Sequence, residues 1–393
     1  MSAALPGWAD WNADHGRPAW TVGIEEEAML LDPDSWALAY RVDDLLPALS
    51  PVLRRKLSAE THSCTLELAG GIHTSVRAAA VELRSLRAAL AAELEEFGLR
   101  AAVAGTHPSA QGENVQVSES KRYQVLYDEM RELARREPTF ALHVHVGVPD
   151  AELAVRALDR IRAHLPLILA VSANSPYWGG RDSGMASFRI PLFQSFPRTG
   201  IPGPFGSYAA YTGAVDTLVR TGAIREPSFI WWDVRLQPRY GTVEVRVADA
   251  QTRVAEAAGI AALIQALVRL EATEGQASAE LVRTQHVIEE NCFLAARDGI
   301  DARLIDVTAG GLVPARDLLE ELLIVCEPHA EDLAGLAELY ELRALADSPG
   351  AARQRETVRE SGERGLVESL ADAFLDEGAA GREPAVAAEG DEL

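Results

Sequence analysis

Four stretches of the chain alternate apolar and polar residues with a period of two, and each carries chemistry on its polar side. They are 22–30, with Glu25, Glu26 and Glu27; 64–68, with Glu67; 140–148, with His143 and His145; and 242–247, with Glu244 and Arg246. Successive side chains of a strand point to opposite faces. Val22, Ile24, Ala28 and Leu30 therefore share one face, and Glu25 and Glu27 the other. Phe140, Leu142, Val144, Val146 and Val148 oppose His143 and His145, just as Val243, Val245 and Val247 oppose Glu244 and Arg246. One sheet with an apolar back and a front of carboxylates and imidazoles accounts for all four. Crowded carboxylates repel one another, so such a front needs cations. It reads as the floor of a metal-binding enzyme.

The bulk composition narrows the function further. A net charge of −22 speaks against nucleic acid and against an anionic membrane surface. Only Lys56 and Lys121 supply lysine, and neither lies in a G-x-x-x-x-G-K-[ST] loop, so a Walker-type phosphate site is excluded. Schiff-base chemistry has no suggestive lysine either. Cys64, Cys292 and Cys326 are few and widely spaced, as suits reduced thiols. No stretch reaches ~18 uninterrupted apolar residues, and no basic region with an apolar run opens the chain. A soluble cytoplasmic protein with no membrane partner is the expectation.

The pattern predicts helices over 76–97, 151–170 and 253–271, the last two each following a chemical strand and so placed to cover the apolar back. The first strand should end at the turn Asp32-Pro33-Asp34. Residues 172–207 are too rich in Gly and Pro for long elements, and their aromatics point to a functional loop region. A hairpin is expected from 230–236 and 242–246 through the five-residue connection Gln237–Gly241. Beyond 276 the chain reads as helical to about 373. One domain over 1–375 and a disordered acidic tail over 376–393 follow.

Each constellation has a plainer reading. Consecutive glutamates are usually solvated, but this run is embedded in an apolar strand. Glu26 is the only charge on the apolar face, which leaves an arginine as its natural partner. His143 and His145 could be satisfied by backbone, Glu67 by a salt bridge, Glu244 and Arg246 by each other, and Arg189 by solvent. Taken together, the oxygen-rich set suits Mg²⁺ or Mn²⁺ better than Zn²⁺.

The residues also resemble a known family, the carboxylate–amine ligases of the YbdK type, or type 2 glutamate–cysteine ligases. The resemblance rests on Thr21-Val-Gly-Ile-Glu-Glu-Glu27, His143-Val-His-Val-Gly-Val148, Ala173-Asn-Ser-Pro-Tyr-Trp178 and Gly184-Met-Ala-Ser-Phe-Arg189. Trp231-Trp-Asp-Val-Arg235, Gly241-Thr-Val-Glu-Val-Arg-Val-Ala-Asp249, Glu290-Asn291 and Ala296-Arg-Asp-Gly299 complete it. It implies an α+β, glutamine synthetase-like catalytic fold: an antiparallel sheet with helices on its apolar face and an open face holding divalent ions and ATP. It further implies ATP-dependent amide formation between a carboxylate and an amine through an acyl phosphate, such as glutamate with cysteine. Carried over, Glu25, Glu27, Glu67 and Glu244 become metal ligands with His143 beside them. Arg246, with His145, becomes a nucleotide contact, and Arg189 and Arg235 face the substrate carboxylate or the transferred phosphoryl group. The partners would be small molecules, and a homodimer is compatible with the family. Two rivals remain open: a metal-dependent hydrolase using the His-x-His pair, and a guanidino phosphotransferase on the same fold.

Overall fold

The computed structural model describes residues 5–13, 18–110, 115–136 and 138–375. The expected tail over 376–393 lies outside them. In chain order the strands are β1 Val22–Leu31, β2 Leu57–Ala59, β3 Thr65–Ala69, β4 Arg100–Ala102, β5 Leu142–Gly147, β6 Tyr177–Trp178 and β7 Arg181–Asp182. They continue with β8 Thr199–Gly200, β9 Trp231–Trp232, β10 Val234–Gln237, β11 Thr242–Val245, β12 Arg303–Asp306 and β13 Gly311–Pro314. The helices are α1 Val42–Ala48, α2 Val76–Glu96, α3 Lys121–Met130, α4 Ala151–Ile161, α5 Leu165–Ser172, α6 Arg189–Phe193 and α7 Tyr208–Arg220. After them come α8 Val254–Thr273, α9 Ala279–Arg283, α10 Gln285–Asp298, α11 Ala315–Asp332, α12 Leu336–Asp347 and α13 Gly350–Asp372.

The period-two stretches all enter one antiparallel sheet, ordered β10-β11-β5-β1-β3-β2, with β4 pairing the far end of β1. Burial alternates along β1 from Val22 to Glu27 as the parity demands. Val22, Ile24, Leu66, Leu68, Leu142, Val144, Val146, Val243 and Val245 form the buried back. Fully burying such a side chain stabilises the fold by ~1.5–3 kcal/mol. Helices α2, α4 and α8 pack against that back, as expected of elements that follow the strands. Helix α8 is buried over almost its whole length, which its apolar surface on every side allows. The architecture is thus α+β with an antiparallel sheet, the arrangement expected of a glutamine synthetase-like fold.

Glu26 is the exception on the back, and it is fully buried. Arg87 of α2 meets its carboxylate through Nε at 2.8 Å and Nη2 at 2.5 Å. The remaining guanidinium donors go to the carbonyls of Gln251, Thr252 and Phe374. All five N–H groups of Arg87 are therefore used. One side chain ties the sheet, the segment entering α8 and the C-terminal end of the described chain together.

Three expectations need correcting. The predicted helix 151–170 breaks between Ile161 and Leu165, because Pro166 in the first turn of α5 has no N–H to continue α4. The hairpin's first strand starts at Val234, not Ile230, while Trp231–Trp232 pairs in parallel with Thr199–Gly200. Its connection is four residues, since Gln237 pairs with Thr242, and Gly241 closes it at φ +65 where a β-carbon would stand 2.5 Å from the Asn12 carbonyl. The C-terminal helical region is interrupted by the β12–β13 hairpin, whose turn contains Gly310 at φ +66.

The Glu26–Arg87 pair yields a stability prediction. Arg87→Met leaves a buried carboxylate unpaired and is expected to cost about 3–5 kcal/mol. The double variant Glu26→Leu/Arg87→Met should recover most of that loss. Urea denaturation of both variants checks this; equal instability of single and double variants would show that the pairing is not what matters.

Candidate functional site

Strand register places the chemical residues in one row across the open face. Glu27 lies opposite Glu67 and Glu25 opposite His143. Glu244 lies opposite both His145 and Arg235, on its two neighbouring strands. Ser58 of β2 faces Glu67 and donates to it at 2.9 Å. Directly opposed residues of antiparallel strands project to the same side, so groups more than two hundred positions apart in the chain share one surface.

His143 sits between two carboxylates. Its Nδ1 lies 3.7 Å from Glu25 and its Nε2 lies 3.9 Å from Glu27. Two ligand groups result, Glu25–His143–Glu244 and Glu27–Glu67–His143, each with its donor atoms within 4.8 Å of one another. His145 Nε2 is 3.4 Å from Glu25 and 3.9 Å from Glu244, while its Nδ1 meets the Thr242 hydroxyl at 3.0 Å. Nε2 is buried, and its polar neighbours among the described residues are these two carboxylates.

The arginines divide their work unequally. Arg235 grips Glu244 with Nε at 2.6 Å and Nη2 at 3.0 Å, and Gln237 and Arg246 donate to the same carboxylate. Glu244 is thus already well supplied with donors, and an ion placed beside it would share it with arginines. Glu27 and Glu67 are freer, which makes their group with His143 the more open place for a cation. Arg189, for which a surface position was one reading, is buried. Its guanidinium donates to the carbonyls of Arg246 and Val247 and stands 3.8 Å from Asp249, while its Nε has no hydrogen-bond partner among the described residues.

The electrostatics show what is missing from the balance. Burial first, and then Glu60, Glu25 and Glu27, push the Glu67 carboxyl well above the usual range. Glu60, just after β2, is pushed up to about 7 by burial and by Glu27, with Arg246 opposing. Burial also works to raise Glu25 and Glu244. For Glu25 the two histidines win, and for Glu244 the two arginines and His145, so both end below the ordinary value. Burial and Arg246 hold His143 down, whereas Glu25 and Glu244 lift His145 despite its burial. Repulsion is therefore relieved at the Glu244 end and unrelieved at the Glu27–Glu60–Glu67 end. A divalent ion there would remove the conflict, and oxygen-rich ligands with one imidazole suit Mg²⁺ or Mn²⁺.

Three cavities meet along this row. One of ≈ 820 Å³ is lined by Glu60, Glu67, Tyr123, His143, Trp231, Arg235 and Arg246. A pocket of ≈ 90 Å³ lies between Glu27, Glu60, His143, Arg189 and Arg246. A third, of ≈ 450 Å³, borders Glu25 and His145 on the side of the Gly70–Gly71 loop. A further cavity of ≈ 840 Å³ near His107 and Arg135 shares no residue with the row.

The candidate site residues Glu25, Glu27, Glu67, His143, His145, Arg189, Arg235 and Arg246 line these cavities, and Glu244 lies among them against Arg235 and Arg246. Glu60 and Tyr123 were missed. Tyr123 donates to the Ala59 carbonyl and lines the large cavity beside Glu60. Glu60 shares parity with Ser58, but β2 ends at Ala59 and is too short for that alternation to stand out in the sequence.

The model of the glutamate–cysteine ligase family 2 (GCS2) matches residues 21–373. The chain belongs to this family. A Rubrobacter xylanophilus protein provisionally named glutamate–cysteine ligase 2-1 is 36% identical over 349 residues, covering 88% of this chain and 93% of its own length. A Sorangium cellulosum protein provisionally named glutamate–cysteine ligase 2 is 39% identical over 329 residues, covering 83% and 88%. Among solved structures, the Francisella tularensis glutamate–cysteine ligase in complex with AMP superposes with TM-score 0.66 at 14% identity, covering 93% of this chain and 91% of that one. At that identity the likeness is one of fold. The candidate site described above lies on the open face of the sheet in this shared fold.

Crowding at the Glu67 end gives a test of cation binding. Glu67→Gln removes one repelling charge, so in chelator it should melt no lower than the wild type. Saturating Mg²⁺ or Mn²⁺ should stabilise the wild type, by ~2.7 kcal/mol at a hundredfold excess over Kd, and the variant far less. Thermal melts of both proteins with and without each ion check this, and equal shifts would remove Glu67 from the ligand set.

Proposed function

We propose that this GCS2 member is an ATP-dependent carboxylate–amine ligase that activates a carboxylic acid as an acyl phosphate and passes the acyl group to an amine. Glutamate and cysteine are the acid and amine suggested by the names of its relatives. One catalytic unit over 1–375 carries the reaction. The observation that carries the reading is the excess of carboxylates over arginines on one face, with cavities on either side of it. Such a face needs cations to be stable, and a triphosphate needs cations to be bound.

Divalent ions held by Glu27, Glu67 and His143, and by Glu25 with Glu244, would supply positive charge to the triphosphate oxygens. The residues fit them, since both groups are oxygen-rich and each includes one imidazole. The remaining work falls to fixed donors of the chain. Arg246 and Arg189 border the small pocket next to Glu27 and present guanidinium groups to a phosphoryl or carboxylate group there. The substrate carboxylate oxygen attacks the γ-phosphorus as the bond to the β,γ-bridging oxygen breaks, and ADP leaves. The amine nitrogen then attacks the acyl carbon, the C–O bond to phosphate breaks, and the nitrogen gives up a proton. Alignment and charge neutralisation supply the acceleration, with no nucleophilic side chain required. This agrees with the buried thiols, all of which are held above their ordinary pKa by burial.

The hydrolase alternative is not favoured, because each ligand group among the described residues contains one histidine and two carboxylates. Two outcomes test the ligase reading. Glu27→Gln should lower ADP release by ~100-fold or more, corresponding to several kcal/mol of lost charge stabilisation, with the fold retained by circular dichroism. ADP should also form only when a carboxylic acid is supplied, in a coupled assay over a matrix of acids and amines with mass spectrometry of the amide. Steady ATP hydrolysis without an acid would overturn the ligase assignment.

A further inference from the structure

Parts of three motifs take no place in the carboxylate row. They are Asn174 and Ser175 of Ala173-Asn-Ser-Pro-Tyr-Trp178, Ser187 of Gly184-Met-Ala-Ser-Phe-Arg189, and Asp249, just beyond β11. The fold brings them to one point. Asp249, Ser175 and Ser187 are fully buried. Asp249 Oδ2 accepts from the Ser175 hydroxyl at 2.7 Å and from Asn174 N–H at 2.8 Å, and Oδ1 accepts from the Ser187 hydroxyl at 2.9 Å. Ser175 and Ser187 form a parallel bridge, which sets the two hydroxyls side by side. The enclosure is tight, since a β-carbon on Gly105 would stand 2.7 Å from Asp249 Cγ.

The cluster stands against Arg189. The Ser175 oxygen that donates to Asp249 also accepts from Arg189 N–H at 3.1 Å, so one hydroxyl fixes both groups. Arg189 Nη1 lies 3.8 Å from Asp249 Oδ1, an ion-pair separation beyond hydrogen-bond reach. Each charge supports the other. Burial lowers Arg189 and raises Asp249, and each is the first group to oppose that shift in its partner.

A carboxylate at this range from a guanidinium ordinarily closes on it as a two-pronged fork. Here its lone pairs are occupied, three donors already filling a group with about four acceptor sites. Oδ1, the oxygen 3.8 Å from Nη1, is the one that Ser187 holds. Arg189 thus gains a neutralising charge without surrendering its donors to it. Nη1 and Nη2 reach the carbonyls of Val247 and Arg246, and Nε has no hydrogen-bond partner among the described residues. The Phe193 ring lies 5.4 Å from the guanidinium carbon, and the side chain borders the ≈ 90 Å³ pocket beside Glu27.

We propose that Asp249 and Ser187 are positioning residues for Arg189. Ser187 occupies the carboxylate oxygen that would otherwise capture the guanidinium. Asp249 then balances the charge at a distance, and Arg189 keeps donors for an oxyanion in that pocket, either the substrate carboxylate or the phosphoryl group in transfer. This assignment rests on the ligase reading above and adds what keeps the arginine available.

Hydroxamate formation from glutamate, ATP and hydroxylamine in Mg²⁺ tests it, hydroxylamine replacing the amine so that activation of the acid is what is read. Ser187→Ala releases Oδ1 to close on Arg189, and kcat/KM for glutamate should fall about tenfold to a hundredfold. The ADP dissociation constant from calorimetry should stay within about twofold of wild type. A raised KM for glutamate assigns the carboxylate to Arg189, and a lowered kcat at unchanged KM assigns the phosphoryl group. Asp249→Asn removes the capturing charge, so Ser187→Ala/Asp249→Asn should be faster than Ser187→Ala alone. A merely structural cluster predicts the reverse, a further loss with each substitution. Wild-type kinetics in Ser187→Ala, or a double variant slower than the single one, would overturn the assignment. Wild-type activity in Arg189→Gln would instead remove Arg189 from the ligase reading, and a protein with no acid-dependent turnover would overturn that reading itself.

Discussion

Like-charge repulsion on one face of a sheet governs this molecule. Glu25, Glu60, Glu67 and Glu244 converge where burial already disfavours negative charge. The fold answers the problem in only one half of the row. At the Glu244 end Arg235 and Arg246 close the balance with charge-assisted hydrogen bonds. At the Glu67 end no arginine among the described residues grips the carboxylates, and Ser58 offers Glu67 a hydroxyl while Ala141 offers Glu27 a backbone N–H. The asymmetry separates a pre-neutralised region from one that demands cations, which is how a single face can orient a polyanion.

The back of the sheet makes that front affordable. Buried valines and leucines of β1, β5, β10 and β11 pack against α2, α4 and α8, so these strands cannot slip without exposing them. The charge that side carries at Glu26 is neutralised by an arginine whose every donor is satisfied. Because Arg87 also holds the backbone before α8 and the chain at Phe374, the rigidity of the floor depends on elements far from it in sequence. A register fixed from behind keeps the ligand row aligned in front.

Much of the site was legible from parity alone. Glu25 and Glu27, His143 and His145, and Glu244 and Arg246 were each assigned to a polar face, and Glu26 to a partner arginine, before any strand order was known. What escaped were groups whose local sequence carries no period. Glu60 follows a three-residue strand too short to show alternation. Arg189 was a candidate through its motif, but its burial was not legible, since it comes from the distant carbonyls of Arg246 and Val247 and from Asp249, 3.8 Å away. The broken helix at Pro166 and the β12–β13 hairpin were misjudged for a related reason. Apolar periodicity continues through both, and a missing N–H or a left-handed glycine overrides it.

The sequence by itself determined which side chains share a face within each strand, and its motifs carried the family. Both are local properties, set by the alternation of the extended backbone. Tertiary structure alone decided that β5 lies between β1 and β11, and that Glu27 faces Glu67 while Glu25 faces His143. It also decided that Asp249 meets Ser187 and Arg189 in one buried cluster. Those outcomes depend on hydrogen-bond register between distant segments, and register is chosen by how the whole apolar back packs.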